Sequence, residues 1–298
     1  MRRGNLEKGK ASAKNQDNLS DNWTTVILPG HNSLRADLKE LWQYRELVWT
    51  LVRKDFKTMY AQTILGPLWL VITAVFSSSV MTLVFGRIAG LSTDGVPQFL
   101  FYMSGTVLWM DFQGCVSRVS GAFLNYANLM GKVYFPRLCI PISTVISGQF
   151  QFLIQGLIFL VVYVYSALGE TSVQCGWQVV FTPFLILQTV LLALGIGLIL
   201  ASVTVKYRDL SVVVSFGLQL WMYATPVVYP VSQVPDSMYD IYMLNPMAPV
   251  METMRRIWFG SGEVPGGYLA GSIAVSAIVL AAGVWIFQKT QRTFADKI

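Results

Sequence analysis

The chain has 298 residues, 54% of them hydrophobic and only 13% charged, with a formal net charge of +6. Soluble domains carry roughly a quarter charged residues, so this share excludes an ordinary globular protein. Three cysteines without metal-ligand spacing, and a single histidine (His31) in a polar segment, argue against a disulfide framework and against histidine-based catalysis or metal binding.

A helix needs about 20 mostly apolar residues to cross a bilayer. Uncharged runs of that length occupy 58–86, 138–169, 171–205, 210–235 and 264–288, and a sixth, 95–117, is interrupted only by Asp111. Lipid offers backbone groups no partners, so six spans predict an all-α polytopic membrane protein. Of the 22 lysines and arginines, 19 fall before residue 61, between the second and third spans, between the fourth and fifth, or after the sixth. The other connections hold only Arg87, Arg255 and Arg256. The positive-inside rule then predicts cytoplasmic N- and C-termini. The net charge reads as topology plus affinity for anionic lipid, and its scatter along one boundary does not suggest nucleic acid as a partner.

In chain order, residues 1–34 are expected to form a disordered cytoplasmic tail, rich in Lys, Asn, Ser and Asp over the first 22 or so. No apolar segment follows the first basic residues, so a cleaved signal peptide is not expected. Gly4–Ala11, GNLEKGKA, approaches a phosphate loop but lacks the final hydroxyl and the flanking strand and helix. Residues 35–60 read as an amphipathic helix: Leu38, Leu41, Val48, Val52, Phe56 and Met59 recur at spacings of three, four or seven beside Trp42 and Trp49. Such a helix lies in the headgroup plane; the alternative is a soluble helix packed on a partner.

Residues 61–298 form the six-span transmembrane domain. Leu65-Gly66-Pro67 opens the first span, with proline suited to a first helical turn and glycine permitting a sharp change of direction. Asp111 lies inside the second span, where an acid is costly. A functional acid is the default reading at such a position, but with no second buried charge in view the favoured one is an Asp near a helix end, reaching headgroup water or a backbone amide. Ser117–Pro141 is longer than a bare connector and carries Lys132 and Arg137, which suits docking of a soluble partner. Gly148, Gly156, Gly195 and Gly197 in the third and fourth spans would let helices approach closely. A basic connector, Val205–Asp209 (VKYRD), leads to a fifth span over about 210–229. Between 230 and 263, Pro230, Pro235, Pro246 and Pro249 break the chain into apolar pieces too short to span. These read as re-entrant or interfacial outer helices before the last span, about 267–288.

Four stretches carry a resemblance: RKDFKTMYAQTILGPLW (Arg53–Trp69), NYANLMGKVYFPR (Asn125–Arg137), VKYRDLSVVVSFGLQLWMYATPVVYPVSQVP (Val205–Pro235) and LNPMAPVMETMRRIWFG (Leu244–Gly260). Together they resemble the membrane subunit of type-2 ABC exporters, and within them the permeases that export O-antigen, capsule or teichoic acid chains. The resemblance spans about residues 35–295. It implies a homodimer in the cytoplasmic (inner) membrane with a channel between the copies, and two copies of a separate ATPase subunit that bind ATP and Mg²⁺. No cofactor, metal or catalytic residue is then expected in this chain. The implied cargo is a polysaccharide linked to polyprenyl pyrophosphate, with O-antigen as the first reading.

The same resemblance assigns site residues. Arg53, Lys57, Tyr60, Leu65 and Gly66 match positions associated with the lipid-pyrophosphate head. Trp69, Tyr102, Trp109, Trp221 and Tyr223 are the aromatics best placed to line a channel, because sugars stack on rings. Asn125, Asn128, Lys132, Arg137, Lys206, Arg208 and Asp209 would face the ATPase. Asn245, Pro246 and Pro249, in the Asn245–Gly260 piece, would gate the outer mouth. The alternatives are teichoic acid, capsular or S-layer glycan export, or an ion-coupled secondary transporter. The last should show several buried acids or bases and inverted repeats, and only Asp111 qualifies. A membrane-embedded transferase would need clustered carboxylates, which are absent.

Overall fold

The computed structural model describes residues 41–60, 64–130, 135–169, 176–207, 209–262 and 266–295. The expected disordered tail, the phosphate-loop lookalike, Lys132 and Arg208 lie outside them. All the elements below belong to one compact unit, Gln43–Ile298. Its regular elements are all helices, with no strand among the described residues.

The helices are α1 (Arg45–Tyr60), α2 (Leu68–Met81, continued by π-helix to Ile88), α3 (Gln98–Ser120), α4 (Ala122–Met130), α5 (Cys139–Leu168), α6 (Thr182–Thr204, entered through a 3-10 turn at Trp177–Phe181), α7 (Leu210–Tyr223), α8 (Asp236–Met243), α9 (Met247–Phe259) and α10 (Gly266–Ala295). Four segments are long and apolar enough to cross a membrane: Leu68–Ile88, Cys139–Leu168, Trp177–Thr204 and Gly266–Thr290. α3 is long enough at 23 residues, but Gln98, Ser104, Asp111, Gln113 and Arg118 dilute its apolar character.

The fifth predicted span is shorter than expected. α7 is 14 residues, and helix ends at Tyr223 rather than near 229. Pro226 lies just beyond and disfavours helical backbone at Thr225, while its own nitrogen has no proton to donate.

α3 is the centre of the molecule. Sixteen of its 23 residues are buried, because α2, α5, α6 and α7 all pack on it. α10 packs along α6, and α1 packs along α5. Glycine makes the α6–α10 approach possible: a Cβ on Gly283 would lie 2.4 Å from the Gly195 carbonyl oxygen, and one on Gly195 would lie 2.7 Å from the Leu280 backbone. Gly197 likewise admits Val119 of α3. Small residues doing this work between helices is the expected logic of packing in lipid.

α2 and α7 instead keep large apolar side chains on the surface of the chain. Leu68, Trp69, Ile72 and Phe76 are exposed on α2, and Val212, Val213, Phe216 and Leu220 on α7. In water such faces would be untenable at this size, whereas lipid or a second apolar surface covers them without cost.

Candidate functional site

Immediately before α2, residues 64–67 form a turn. Gly66 has φ +50°, in the left-handed region that glycine alone enters freely, and no heavy atom lies within 4 Å of where its Cβ would be. The Leu68 N–H donates to Leu65 O at 3.0 Å and the Trp69 N–H to Gly66 O at 3.3 Å, so the turn leads straight into α2. Leu65 and Trp69 are exposed at this turn. Arg53 and Lys57, one helical turn apart, are exposed on α1, and the Arg53 guanidinium lies 5.5 Å from the centroid of Trp49. The backbone of Tyr60 closes α1, and its side chain lies outside the described residues.

The opposite side of α1 is docked, not free. Val48, Leu51 and Val52 are buried, and Phe56 meets Phe150 of α5 edge-on at 5.9 Å. The Asp55 carboxylate accepts a short hydrogen bond from the Tyr126 hydroxyl of α4, and Ser147 of α5 donates to its other oxygen at 3.5 Å. Burial first, and then the carboxylate it bonds, push the Tyr126 phenol above the usual tyrosine range. Lys54 sits over the Tyr126 ring at 4.8 Å. The amphipathic helix is therefore fastened to both α4 and α5.

α4 carries Asn125, exposed, and the backbone of Asn128, whose side chain lies outside the described residues. Arg137 is half-buried just before α5, and Lys206 and Asp209 are exposed on the connector after α6. α4 and that connector start from one bond: the Thr204 hydroxyl at the end of α6 donates to the Ser120 carbonyl at the end of α3, at 2.9 Å. Phe123 of α4 stacks on Phe287 of α10, with centroids 4.7 Å apart. The described residues expected to face a partner thus share one end of the bundle.

The five aromatics expected to line a channel separate into two groups. Tyr102 and Trp109 are buried within the chain, Trp109 against Phe112 and Trp221. Trp69 and Tyr223 are exposed, and Trp221 is half-buried. At the other end of the bundle, Asn245 binds α9 to the end of α7. Its carbonyl accepts from the Trp221 indole and the Met247 N–H, each at 3.1 Å, and its amide donates to Ala224 O and Thr225 Oγ1, each at 2.9 Å. Pro246 O accepts from Ser272 of α10 at 2.6 Å, and Pro249 is buried within α9.

The chain matches the sequence profile of the ABC-2 type transporter over residues 46–259. It belongs to the ABC-2 type transporter membrane family. The chain is 31% identical over 263 residues to an O-antigen export system permease, RfbA, of Myxococcus xanthus, covering 88% of this chain and 98% of that one. It is 25% identical to an RfbA of Klebsiella pneumoniae, covering 84% and 94%, and 23% identical to the polysialic acid transport protein KpsM of Escherichia coli, covering 80% and 88%.

Two polar clusters of this ABC-2 protein escape a reading of the sequence alone. α3 runs past the expected end at 117 to Ser120, so Arg118 is helical rather than in a loop. Asp111 is buried well inside α3 and does not reach a helix end, contrary to the expectation. Its Oδ1 accepts from Gln149 of α5 at 3.1 Å and from the Cys115 thiol at 3.7 Å. Arg118 donates to the same sulfur at 3.5 Å and to Gln151 at 3.0 Å, so a partner charge does stand nearby. Gly148 makes room for it: a Cβ there would lie 1.9 Å from the guanidinium. The signal was the spacing of Asp111, Cys115 and Arg118 along one helix face.

The second cluster is in α9. Arg255 is 2% exposed, lies 3.7 Å over the Phe101 ring, donates to Val227 O at 3.1 Å and approaches Glu252 at 3.8 Å. Counted as an outer-loop charge in the sequence, it is a core residue. The spacing of three between Glu252 and Arg255 was the available hint.

Proposed function

We propose that this chain is the permease subunit of an ATP-driven exporter that moves a lipid-linked polysaccharide, O-antigen in the first instance, across the cytoplasmic membrane. The observation carrying this reading is its 31% identity, over 98% of the relative's length, to an O-antigen export permease. Two copies would form the channel, with the exposed apolar faces of α2 and α7 as the surfaces open to a second copy or to lipid. Six spans complete the topology when α3 and α7 join the four long apolar helices. Both termini, α4 and the α6–α7 connector then face the cytoplasm, where Asn125, Arg137, Lys206 and Asp209, with Asn128, Lys132 and Arg208, meet the two ATPase subunits.

The mechanism follows from how the pieces are fastened. ATP and Mg²⁺ act on the partner ATPases, whose closure pushes on α4 and the connector. Because Tyr126 of α4 is bonded to Asp55 of α1, the push reaches the amphipathic helix and the Gly66 turn. Arg53, Lys57 and Tyr60 receive the pyrophosphate head beside Leu65 and Gly66, and Trp69, Trp221 and Tyr223 offer rings to the sugars. Tyr102 and Trp109 support this wall from inside the protomer. Asn245, Pro246 and Pro249 shape the outer mouth. Teichoic acid, capsular or S-layer glycans would use the same parts.

The test replaces Arg53 or Lys57 by Glu in the native host. Surface glycan should fall while the protein still co-purifies with its ATPase. Unchanged surface glycan in both variants would remove the head-group assignment. Absence of any co-purifying ATPase, with transport independent of ATP, would instead favour an ion-coupled carrier centred on Asp111.

A further inference from the structure

Between α1, α3, α4 and α5, around the Tyr126–Asp55 bond, lies a cavity of about 380 Å³ to which the export mechanism assigns no ligand. This size falls within the range of small-molecule sites. Its wall carries Lys54, Asp55, Arg118, Tyr126, Thr144 and Ser147. The two faces of α1 are separate here. Arg53 and Lys57 lie one turn apart on one side, whereas Lys54, Asp55 and Thr58 follow the helical period round to the cavity.

The charges in the cavity are unequal. Asp55 is already bonded by Tyr126 and Ser147. Lys54 and Arg118 form no ion pair among the described residues, and Arg118 Nε is buried without a hydrogen-bond partner. The wall itself thus carries two positive charges against one negative, while Asp111 stands behind it, facing Arg118 across the Cys115 sulfur. The depth also fits a lipid phosphate, since Arg118 is two residues from the end of α3, and Thr144 and Ser147 lie within the first turns of the apolar helix α5.

We propose that this cavity holds the head of an anionic glycerophospholipid. Its phosphodiester lies between Lys54 and Arg118, and an uncharged polyol head donates hydroxyls to the free lone pairs of Asp55. A phosphodiester of charge −1 under a polyol head matches the surplus on the wall, whereas the zwitterionic ethanolamine head brings its own ammonium and does not. The bound lipid would wedge α1 against α4 and α5, at the bond that links them. This goes beyond the export role and does not depend on it.

The test measures lipid retention by native mass spectrometry on the purified full-length chain in detergent. The added probes are phosphatidylglycerol, phosphatidylethanolamine and inorganic phosphate. Phosphatidylglycerol should bind saturably, one per chain, and raise the melting temperature; the other two should do neither. Lys54→Gln should weaken it about fivefold, the worth of one basic residue beside anionic lipid. Thr144→Leu, which fills the cavity without changing charge, should abolish it. Lys54 is on the surface, so its replacement keeps the test valid if Thr144→Leu fails to fold. Equal retention of phosphatidylethanolamine, equal stabilisation by inorganic phosphate, or indifference to Lys54→Gln would overturn the proposal.

Discussion

Trp221 donates its indole N–H to Asn245 at 3.1 Å, and through that bond the end of α7 is held to the start of α9. Asn245 uses both faces of its amide here, with two accepted and two donated bonds. Asn245→Ala strips all four and leaves the indole and the Met247 N–H without acceptors. An unmade bond of this kind costs about 1–3 kcal/mol. The variant should melt earlier in detergent, with a red-shifted tryptophan emission as Trp221 loosens. Asn245→Asp keeps the acceptors but loses both donors, so it too should destabilise. Wild-type melting in both would show that α7 and α9 are held elsewhere.

The tightest helix contact gives a second expectation. A methyl on Gly283 would collide with the Gly195 carbonyl at 2.4 Å, and backbone cannot move aside as a side-chain tip can. Overpacking typically costs about 1–3 kcal/mol, and a backbone clash falls at the upper end. Gly283→Ala and Gly195→Ala should therefore lower the yield of folded protein and its melting temperature. Gly271→Ala on the same helix, α10, has nothing within 4 Å and should be neutral. Equal behaviour of all three would mean that α6 and α10 are not packed this closely.

What the sequence disclosed follows from the range of the forces involved. Hydropathy acts over a whole helix, so the four long apolar spans and the α1 amphipath are readable from composition alone. The Leu65-Gly66-Pro67 turn is equally legible, because left-handed backbone demands a residue type. Gly195 signalled close packing, but not its partner Gly283, 88 residues away. Asp111, Arg118 and Arg255 were misplaced for a different reason. A charge count treats every ion as solvated, and only three-dimensional packing reveals that Gly148 accommodates Arg118 and that Arg255 lies over Phe101. The division of Tyr102 and Trp109 from Trp69 and Tyr223 is likewise a matter of helix facing, and an aromatic residue name carries no such direction.

The Tyr126–Asp55 bond makes a prediction in pH. Burial and the adjacent carboxylate raise the Tyr126 pKa above its ordinary value of 10.0 in the folded protein. Its neutral form is thus favoured by folding. The stabilisation is complete below about pH 10 and is lost as pH rises towards the folded value, because the unfolded chain releases the proton first. Difference spectra at the tyrosinate band, wild type against Tyr126→Phe, should show no ionisation of this residue where free tyrosine is half-ionised. The stability gap between the two proteins should also narrow above pH 10. Normal titration of Tyr126 would remove the bond from the proposed coupling of α4 to α1.

Arg255 and Glu252 supply the last expectation. Both are almost completely buried, and their ion pair at 3.8 Å is long, so much of the guanidinium's support comes from Phe101 and Val227 O. Removing one member of a buried pair strands the other charge, at about 3–5 kcal/mol, whereas replacing both by apolar residues of similar volume is often neutral or better. Arg255→Met alone should therefore sharply reduce folded yield. The double variant Arg255→Met with Glu252→Leu should recover it. Surface glycan then separates structure from function. Recovered folding with recovered export assigns the pair to holding α9 against α3, while recovered folding without export assigns the charges to transport itself. Failure of the double variant to fold any better than the single one would show that the pair is not the element holding α9 in place.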